Sequence, residues 1–203
     1  MRRTIGAGTI AFAVVLAAGS SAAGSPAGRA PLTVIGDSVA ASLQYPSAER
    51  YLQRTFRLDL DVKVCRRLVA PSCPYDGVQA PSALEAIQTR HTPVSPTVVV
   101  DVGYNDAAST YANDLDRVMH ALMTAGAARV VWVTLRRYGS VRRARINRMI
   151  RVARARWPEL RVADWSRWSR GHPSWFVYDG IHLDRLGAMG LARLIRRAVL
   201  ASP

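Results

Sequence analysis

The chain has 203 residues, 49% of them hydrophobic, and a formal net charge of +14 at pH 7. This length suits one domain with a full core, and no linker or internal repeat indicates a second domain. The two cysteines lack the spacing of a metal site and no His-x-x-x-His pair is present, so we expect neither a metal nor another cofactor.

The N-terminal residues form a pattern typical of a secretory signal peptide. Arg2 and Arg3 precede an apolar stretch over residues 5–18, and small residues follow at 20–23. The stretch is too short to cross a bilayer comfortably, so we expect residues 1–23 to be cleaved off. A flexible lead over 24–30 would then precede a single soluble, exported domain at 31–203.

Strand-like and helix-like segments alternate along the rest of the chain. Short apolar runs predict strands at residues 32–35, 58–64, 97–102, 129–134 and 160–163. Segments with helical periodicity are found at residues 47–56, 81–90, 111–125, 141–156 and 186–200. This alternation predicts an α/β fold, a three-layer α/β/α sandwich around a mainly parallel five-stranded sheet.

Three short motifs contain the side chains that suggest chemistry. Gly-Asp-Ser at 36–38 and Gly-Tyr-Asn-Asp at 103–106 each follow a predicted strand, and Asp-Gly-Ile-His at 179–182 precedes the last predicted helix. Ligands of open α/β sheets bind at the carboxyl ends of the strands, so we expect these motifs to converge on one crevice. A serine, an amide, a carboxylate and an imidazole are the parts of a serine esterase.

With their neighbours, the motifs resemble blocks one, three and five of the SGNH (GDSL-type) hydrolase family. They read Ile-Gly-Asp-Ser-Val at 35–39, Gly-x-Asn-Asp at 103–106 and Asp-x-x-His at 179–182. The resemblance extends over residues 32 to 200 and is strongest toward secreted bacterial members and the extracellular domain of peptidoglycan O-acetyltransferases. It implies a flavodoxin-like three-layer fold and ester chemistry.

The resemblance implies a catalytic triad of Ser38, His182 and Asp179. A serine hydroxyl is a poor nucleophile until a base takes its proton, and the base needs a partner that fixes its tautomer. Asp179 would accept a hydrogen bond from Nδ1 of His182 and leave Nε2 free for Ser38. The alternative is that Asp179 caps the C-terminal helix and His182 packs against it.

The resemblance also implies an oxyanion hole, formed by the backbone N–H of Ser38, the side-chain amide of Asn105 and a backbone N–H from the second block. That second-block residue is normally glycine, and Cys65 stands at its place here, which departs from the family pattern. The N–H remains a donor if the backbone angles there suit a residue with a Cβ. Asn105 could instead only form a turn with Gly103.

Two further residues of the first motif are expected to shape the turn rather than touch substrate. The carboxylate of Asp37 should accept hydrogen bonds from loop amides and fix the serine's turn. Gly36 should allow the tight exit from the strand.

Cys65 and Cys73 are the only cysteines. Export would place them in an oxidising compartment, where an even count favours pairing, so we predict a Cys65–Cys73 disulfide. Two free buried thiols are the alternative.

The positive charge is concentrated in one part of the chain. Thirteen arginines lie between Arg129 and Arg170, against only Glu159 and Asp164. For an exported protein this basic region suggests anionic cell-wall polymer or a lipid surface as a partner, and no nucleic acid. A solvated surface without a specific partner is the alternative.

Aromatic residues are frequent just before the third motif, at Trp165, Trp168, Trp175 and Phe176. They would either wall an acyl or sugar pocket or pack in the core.

Three functions fit the sequence. The first is an exported serine esterase that hydrolyses small acyl esters, with acetyl groups on carbohydrate or cell wall as substrates. The second is an acyltransferase with the same triad, in which an acceptor hydroxyl replaces water. The third is a non-catalytic basic wall-binding protein, against which the complete set of motif side chains argues.

Overall fold

The structure is a computed structural model that describes residues 28–201, so the predicted signal peptide lies outside the described residues. The described chain forms six α-helices, two short 3-10 helices and seven strands. In chain order they are β1 (Ala30–Gly36), a 3-10 helix (Ala40–Gln44), α1 (Pro46–Gln53), β2 (Phe56–Val62), β3 (Pro74–Tyr75), β4 (Val78–Gln79), α2 (Ala83–Gln88), β5 (Thr97–Asp101), α3 (Tyr111–Thr124), β6 (Arg129–Val133), α4 (Val141–Ala153), β7 (Leu160–Ala163), α5 (Trp165–Trp168), a second 3-10 helix (Pro173–Trp175) and α6 (Arg185–Leu200).

Five strands form one parallel sheet in the order β2-β1-β5-β6-β7. The central strands read as continuous apolar runs because both of their faces are covered, and Val98, Val99 and Val100 of β5 are all fully buried. Helices α1 and α6 pack together on one face, and α2, α3 and α4 pack on the other. The predicted α/β/α architecture is therefore confirmed.

The second strand begins and ends two residues before its predicted bounds. The Lys63 N–H still bonds to the carbonyl of Gly36 in β1, but Cys65 then takes a positive φ of 64° and turns the chain out of the sheet. The segment that follows folds into the separate antiparallel β3–β4 hairpin. Apolar periodicity does not report such a turn, because the turn depends on backbone angles.

The strand order reverses between β1 and β5, since β1 continues toward β2 on one side and β5 toward β6 on the other. The carboxyl edge at such a reversal is where α/β sheets bind ligands. In this chain the loops that leave this edge contain the first two motifs. Over residues 28–201 no helix combines the length and apolar character needed to cross a membrane.

Candidate active site

A chain of hydrogen bonds joins Ser38, His182 and Asp179. The Oγ of Ser38 lies 2.9 Å from Nε2 of His182, and Nδ1 of the same ring lies 2.5 Å from Oδ2 of Asp179. Ser38 leaves the end of β1 and the other two residues lie just before α6, so the fold brings together groups 144 residues apart in sequence. The arrangement has the order of a nucleophile, a general base and a carboxylate that orients the base.

The turn that contains Asp179 is stabilised by hydrogen bonds between its backbone N–H groups and the Asp179 side chain. Oδ1 of Asp179 accepts hydrogen bonds from the N–H groups of Ile181 and His182, at 2.8 and 2.9 Å. Burial alone would raise the pKa of Asp179, but the His182 ring bond and these two N–H bonds outweigh it and lower the pKa. The carboxylate therefore stays ionised and keeps Nδ1 protonated. Helix α6 is capped by Asp184 instead of Asp179.

Gly180 allows this turn to pack closely. Its φ is +67°, and a Cβ there would lie 2.5 Å from the ring of Tyr138. Both the left-handed backbone and the close aromatic contact therefore require glycine.

The serine's turn is fixed by Gly36 and Asp37. A Cβ on Gly36 would lie 2.2 Å from the Cβ of Ala40, so the 3-10 helix can start this close to β1 only because residue 36 is glycine. The fully buried Asp37 carboxylate accepts hydrogen bonds from the N–H groups of Val39, Gly103 and Tyr104, at 3.0 to 3.2 Å. Asp37 thus ties the first motif to the second without facing the cleft.

A second carboxyl group, Asp101 at the end of β5, lies buried beside Asp37. Neither of its oxygens has a hydrogen-bond partner among residues 28–201. Burial first, and then the neighbouring Asp37 charge, raise the pKa of Asp101 well above its ordinary value. Burial also raises the pKa of Asp37 to about 6, less strongly because three N–H groups stabilise its charge. Asp101 is therefore the member of the pair that holds a proton more strongly.

This protonated carboxyl predicts a dependence of stability on pH. Above the ordinary pKa of aspartate, the native state holds a proton on Asp101 that the unfolded chain has lost. The free energy of unfolding should therefore fall as pH rises, by up to about 1.4 kcal/mol per pH unit, until the raised pKa is passed. Above pH 7, where Asp37 with its pKa of about 6 is mostly ionised, Asp101→Asn should flatten the curve in urea unfolding measured from pH 7 to 8.5. Equal slopes for both proteins would contradict the assignment of the proton.

The second-block position is occupied by a disulfide-bonded cysteine in a left-handed backbone conformation. Cys65 and Cys73 form a disulfide with their Cα atoms 5.3 Å apart, as predicted. The φ of Cys65 is +64°, a region that glycine enters readily and that residues with a Cβ rarely adopt. Cys65 thus has a backbone conformation typical of glycine, and the disulfide adds a covalent bond that holds it.

Asn105 is positioned against the same segment. Its Nδ2 donates to the carbonyl of Arg66 at 3.2 Å. An amide nitrogen carries two N–H groups, so the second one stays available for a developing oxyanion. Next to it, Oδ1 of Asp106 accepts from the N–H of Leu68 at 3.0 Å. The second motif and the second block are therefore joined by two hydrogen bonds.

The sequence analysis missed Arg66, which organises this segment. Its side chain is fully buried and its guanidinium donates to the carbonyls of Pro81 and Asp61 and to the carboxylate of Asp61, at 2.6 to 3.1 Å. Arg66 therefore fixes the loop between β2 and α2 from inside. A basic residue after a strand usually lies at the surface, and no sequence signal distinguished this one.

An open cleft of about 360 Å³ begins at the nucleophile. It is lined mainly by the 3-10 helix after β1 and by the third motif, through Ser38, Ala41, Ser42, Gln44, Tyr45, His182 and Leu183. An acyl ester could enter here and meet Ser38.

None of the four aromatic residues before the third motif lines this cleft. Trp165 is fully buried and stacks on Trp175 with ring centroids 5.8 Å apart. Trp175 in turn packs on Gly187 and Gly190 of α6, where a Cβ would lie 2.1 Å and 2.6 Å from it. Packing in the core explains these two tryptophans.

Several arginines of the basic region serve the fold. Arg142 donates to the carbonyls of Tyr104 and Asp106 and so tethers the second motif to α4. Arg151 and Arg156 pair with Asp164 and Asp116. Within residues 28–201 no cluster of three or more histidine, cysteine or acidic side chains could hold a metal ion.

Comparison with known proteins shows which sequences and which solved structures the chain resembles. No family model matches the chain. The chain is 35% identical over 98 residues to O-acetyltransferase OatA of Staphylococcus aureus. The aligned segment covers 48% of this chain and 15% of that relative. The chain thus spans only a small part of the curated relatives it matches.

Solved structures with the same fold cover most of the chain. The C-terminal catalytic domain of peptidoglycan O-acetyltransferase A from Streptococcus pneumoniae superposes with a TM-score of 0.61 at 21% identity, covering 84% of this chain and 93% of that one. A carbohydrate acetylesterase family member from Sinorhizobium meliloti gives 0.63 at 14% identity, covering 84% and 97%. The fold predicted from the three motifs, that of the SGNH hydrolases, is confirmed.

Proposed function

We propose that this SGNH-fold chain is an exported serine esterase that removes small acyl groups, of the acetyl type, from carbohydrate or cell-wall esters. The observation that carries the proposal is the hydrogen-bonded series Ser38–His182–Asp179, with distances of 2.9 and 2.5 Å. Its position at the sheet reversal, beside an open cleft, supports the same conclusion.

The first half of the reaction transfers the acyl group to the enzyme. Nε2 of His182 takes the proton of the Ser38 hydroxyl while Oγ bonds to the ester carbonyl carbon. The N–H groups of Ser38 and Cys65 and the amide of Asn105 stabilise the negative oxygen that forms. The bond to the alcohol then breaks, and the alcohol leaves with the proton from Nε2.

The second half frees the acyl group. A water molecule gives a proton to Nε2 and attacks the acyl carbon, and Ser38 Oγ leaves and regains that proton. Asp179 stays ionised throughout and stabilises the imidazolium.

Transfer to an acceptor hydroxyl is the second candidate, and the similarity to O-acetyltransferase OatA favours it. The two candidates share the acyl-enzyme and differ only in whether water or a sugar hydroxyl attacks it. An open cleft admits either nucleophile. A panel of esters with increasing acyl length, assayed with and without a sugar acceptor, separates them by the product formed.

Covalent labelling tests whether Ser38 is activated at all. A sulfonyl fluoride should modify the protein once, and peptide mass analysis should place the label on Ser38. Ser42 provides a matched control, because it lines the same cleft but donates its hydroxyl to the carbonyl of Val39 at 2.8 Å. Labelling that survives Ser38→Ala, or no labelling of the wild type, would favour a non-catalytic wall-binding protein.

The rate should rise with pH through the neutral region. His182 can accept the serine proton only when Nε2 carries none, so protonation of the imidazole blocks this step. We expect kcat/KM to be lower in acidic than in neutral solution, in assays at constant ionic strength. A flat profile would exclude imidazole as the base.

Location outside the cytoplasm is part of the proposal. The signal-like N-terminus and the Cys65–Cys73 disulfide both support an oxidising, exported setting. There the basic region would face anionic wall polymer or lipid headgroups.

A further inference from the structure

A second cavity, of about 350 Å³, opens at the same edge of the sheet, after β6 and β7. We call it the arginine cavity. Its lining consists of Arg136, Arg137, Tyr138, Gly139, Ser166 and Arg170. Three of its six lining residues are cationic and none is acidic. Within residues 28–201 none of the three arginines forms an ion pair.

Arg136 is held in place but left without a polar partner at one nitrogen. Its guanidinium carbon lies 3.3 Å from the ring centroid of Phe176 and 5.4 Å from that of Tyr138. Its Nη1 atom is buried and makes no hydrogen bond to the described residues. A buried guanidinium N–H without an acceptor is costly, and Arg136, which lines the cavity, has such a donor unpaired among the described residues.

The loop after β6, which supplies four of the arginine-cavity residues, is fixed. Arg143 of α4 donates to the carbonyls of Arg137 and Tyr138, at 3.0 and 3.3 Å. The Oη of Tyr104 accepts from the backbone N–H of Arg136 at 2.7 Å. Tyr138 has a φ of +39°, which a non-glycine residue adopts only where its surroundings impose it. The backbone on this side of the cavity is therefore fixed in advance of any ligand.

The arginine cavity and the catalytic cleft flank the same turn. His182 lines the cleft, while Gly180 packs against the ring of Tyr138. A polymer bound with an ester at Ser38 can thus pass the turn and place a neighbouring group in the cavity.

We propose that the arginine cavity is a substrate subsite that binds an oxyanion, a carboxylate or a phosphate, on the polymer whose ester is cleaved. This proposal rests on the proposed function, because it assigns the substrate class of the same site as anionic glycans. Planar guanidinium groups match both oxyanions through paired N–H bonds.

The test compares one acetylated oligogalacturonide with the same oligomer after methyl esterification, which neutralises its carboxylates. Acetate release is followed at fixed ionic strength. We expect kcat/KM to be about tenfold higher or more for the charged oligomer, which is the effect of one charge-assisted contact. R137Q/R170Q should lose this preference and keep its activity on the neutral oligomer.

The control is R148Q/R154Q, which removes the same charge from two exposed positions outside the arginine cavity, Arg148 in α4 and Arg154 directly after it. It should keep the preference. An equal loss in both double variants would mean that general surface charge, not the subsite, attracts the substrate. No preference in the wild type would overturn the proposal outright.

Calorimetric titration separates failure of the subsite from failure of the esterase. The deacetylated oligogalacturonide and inorganic phosphate are each titrated into wild type, R137Q/R170Q and R148Q/R154Q. If only R137Q/R170Q fails to bind a probe, the subsite is supported even when no ester is turned over. The probe that binds the wild type more tightly identifies the oxyanion as a carboxylate or a phosphate. If all three proteins bind the probes equally, or if none of them binds either probe, the subsite is refuted even when the protein is an active esterase.

Discussion

Ser38→Ala should lower kcat/KM toward an acetyl ester by about 10⁴-fold or more, and His182→Ala should do the same. Each removes one end of the 2.9 Å contact through which the nucleophile is activated. The two losses should not add, because the residues act as one unit, so the double variant should be no slower than either single variant.

The folded state should survive both changes. Ser38 is half-buried and the side chain of His182 is 48% exposed, so neither supplies much core packing. Urea unfolding of each variant measures this directly. Ser42→Ala is the matched control and should retain turnover. A Ser38→Ala protein with near wild-type turnover, purified free of other esterases, would refute the mechanism.

Loss of the Cys65–Cys73 disulfide should reduce both turnover and stability. The bridge closes a short loop, with a sequence separation of 8, so its removal should cost about 2.5 kcal/mol of unfolding free energy. Displacing one oxyanion donor typically costs 10²- to 10³-fold in kcat. We therefore expect C65A/C73A to stay folded and to lose about 10²-fold in kcat.

A second variant separates the bridge from the backbone conformation that it holds. C65G/C73A also lacks the disulfide, but glycine adopts the φ of +64° without strain. It should recover a large part of the turnover that C65A/C73A loses, while both lose similar stability from the missing bridge. Wild-type kcat in C65A/C73A would show that the N–H of residue 65 does not act on the oxyanion.

Both predictions depend on groups whose types and order could be read from the sequence. Strand-then-motif spacing predicted the parallel sheet and the crevice at its carboxyl edge, and the motifs supplied the pair Ser38 and His182 that meets there. That inference works because parallel strands must be buried on both faces and therefore appear as apolar runs whose ends share one edge. The pairing of Cys65 with Cys73 also followed, from an even count and an N-terminus typical of export.

The tertiary structure alone decided what holds these groups. The burial of Arg66, the proton on Asp101 and the arginine cavity each depend on which side chains distant in sequence come to lie together. Sequence periodicity reports which face of an element is buried, but it does not report the partners or solvent access of a polar group. Those determine whether an arginine becomes an internal clamp, like Arg66, or lines an open cavity, like Arg136.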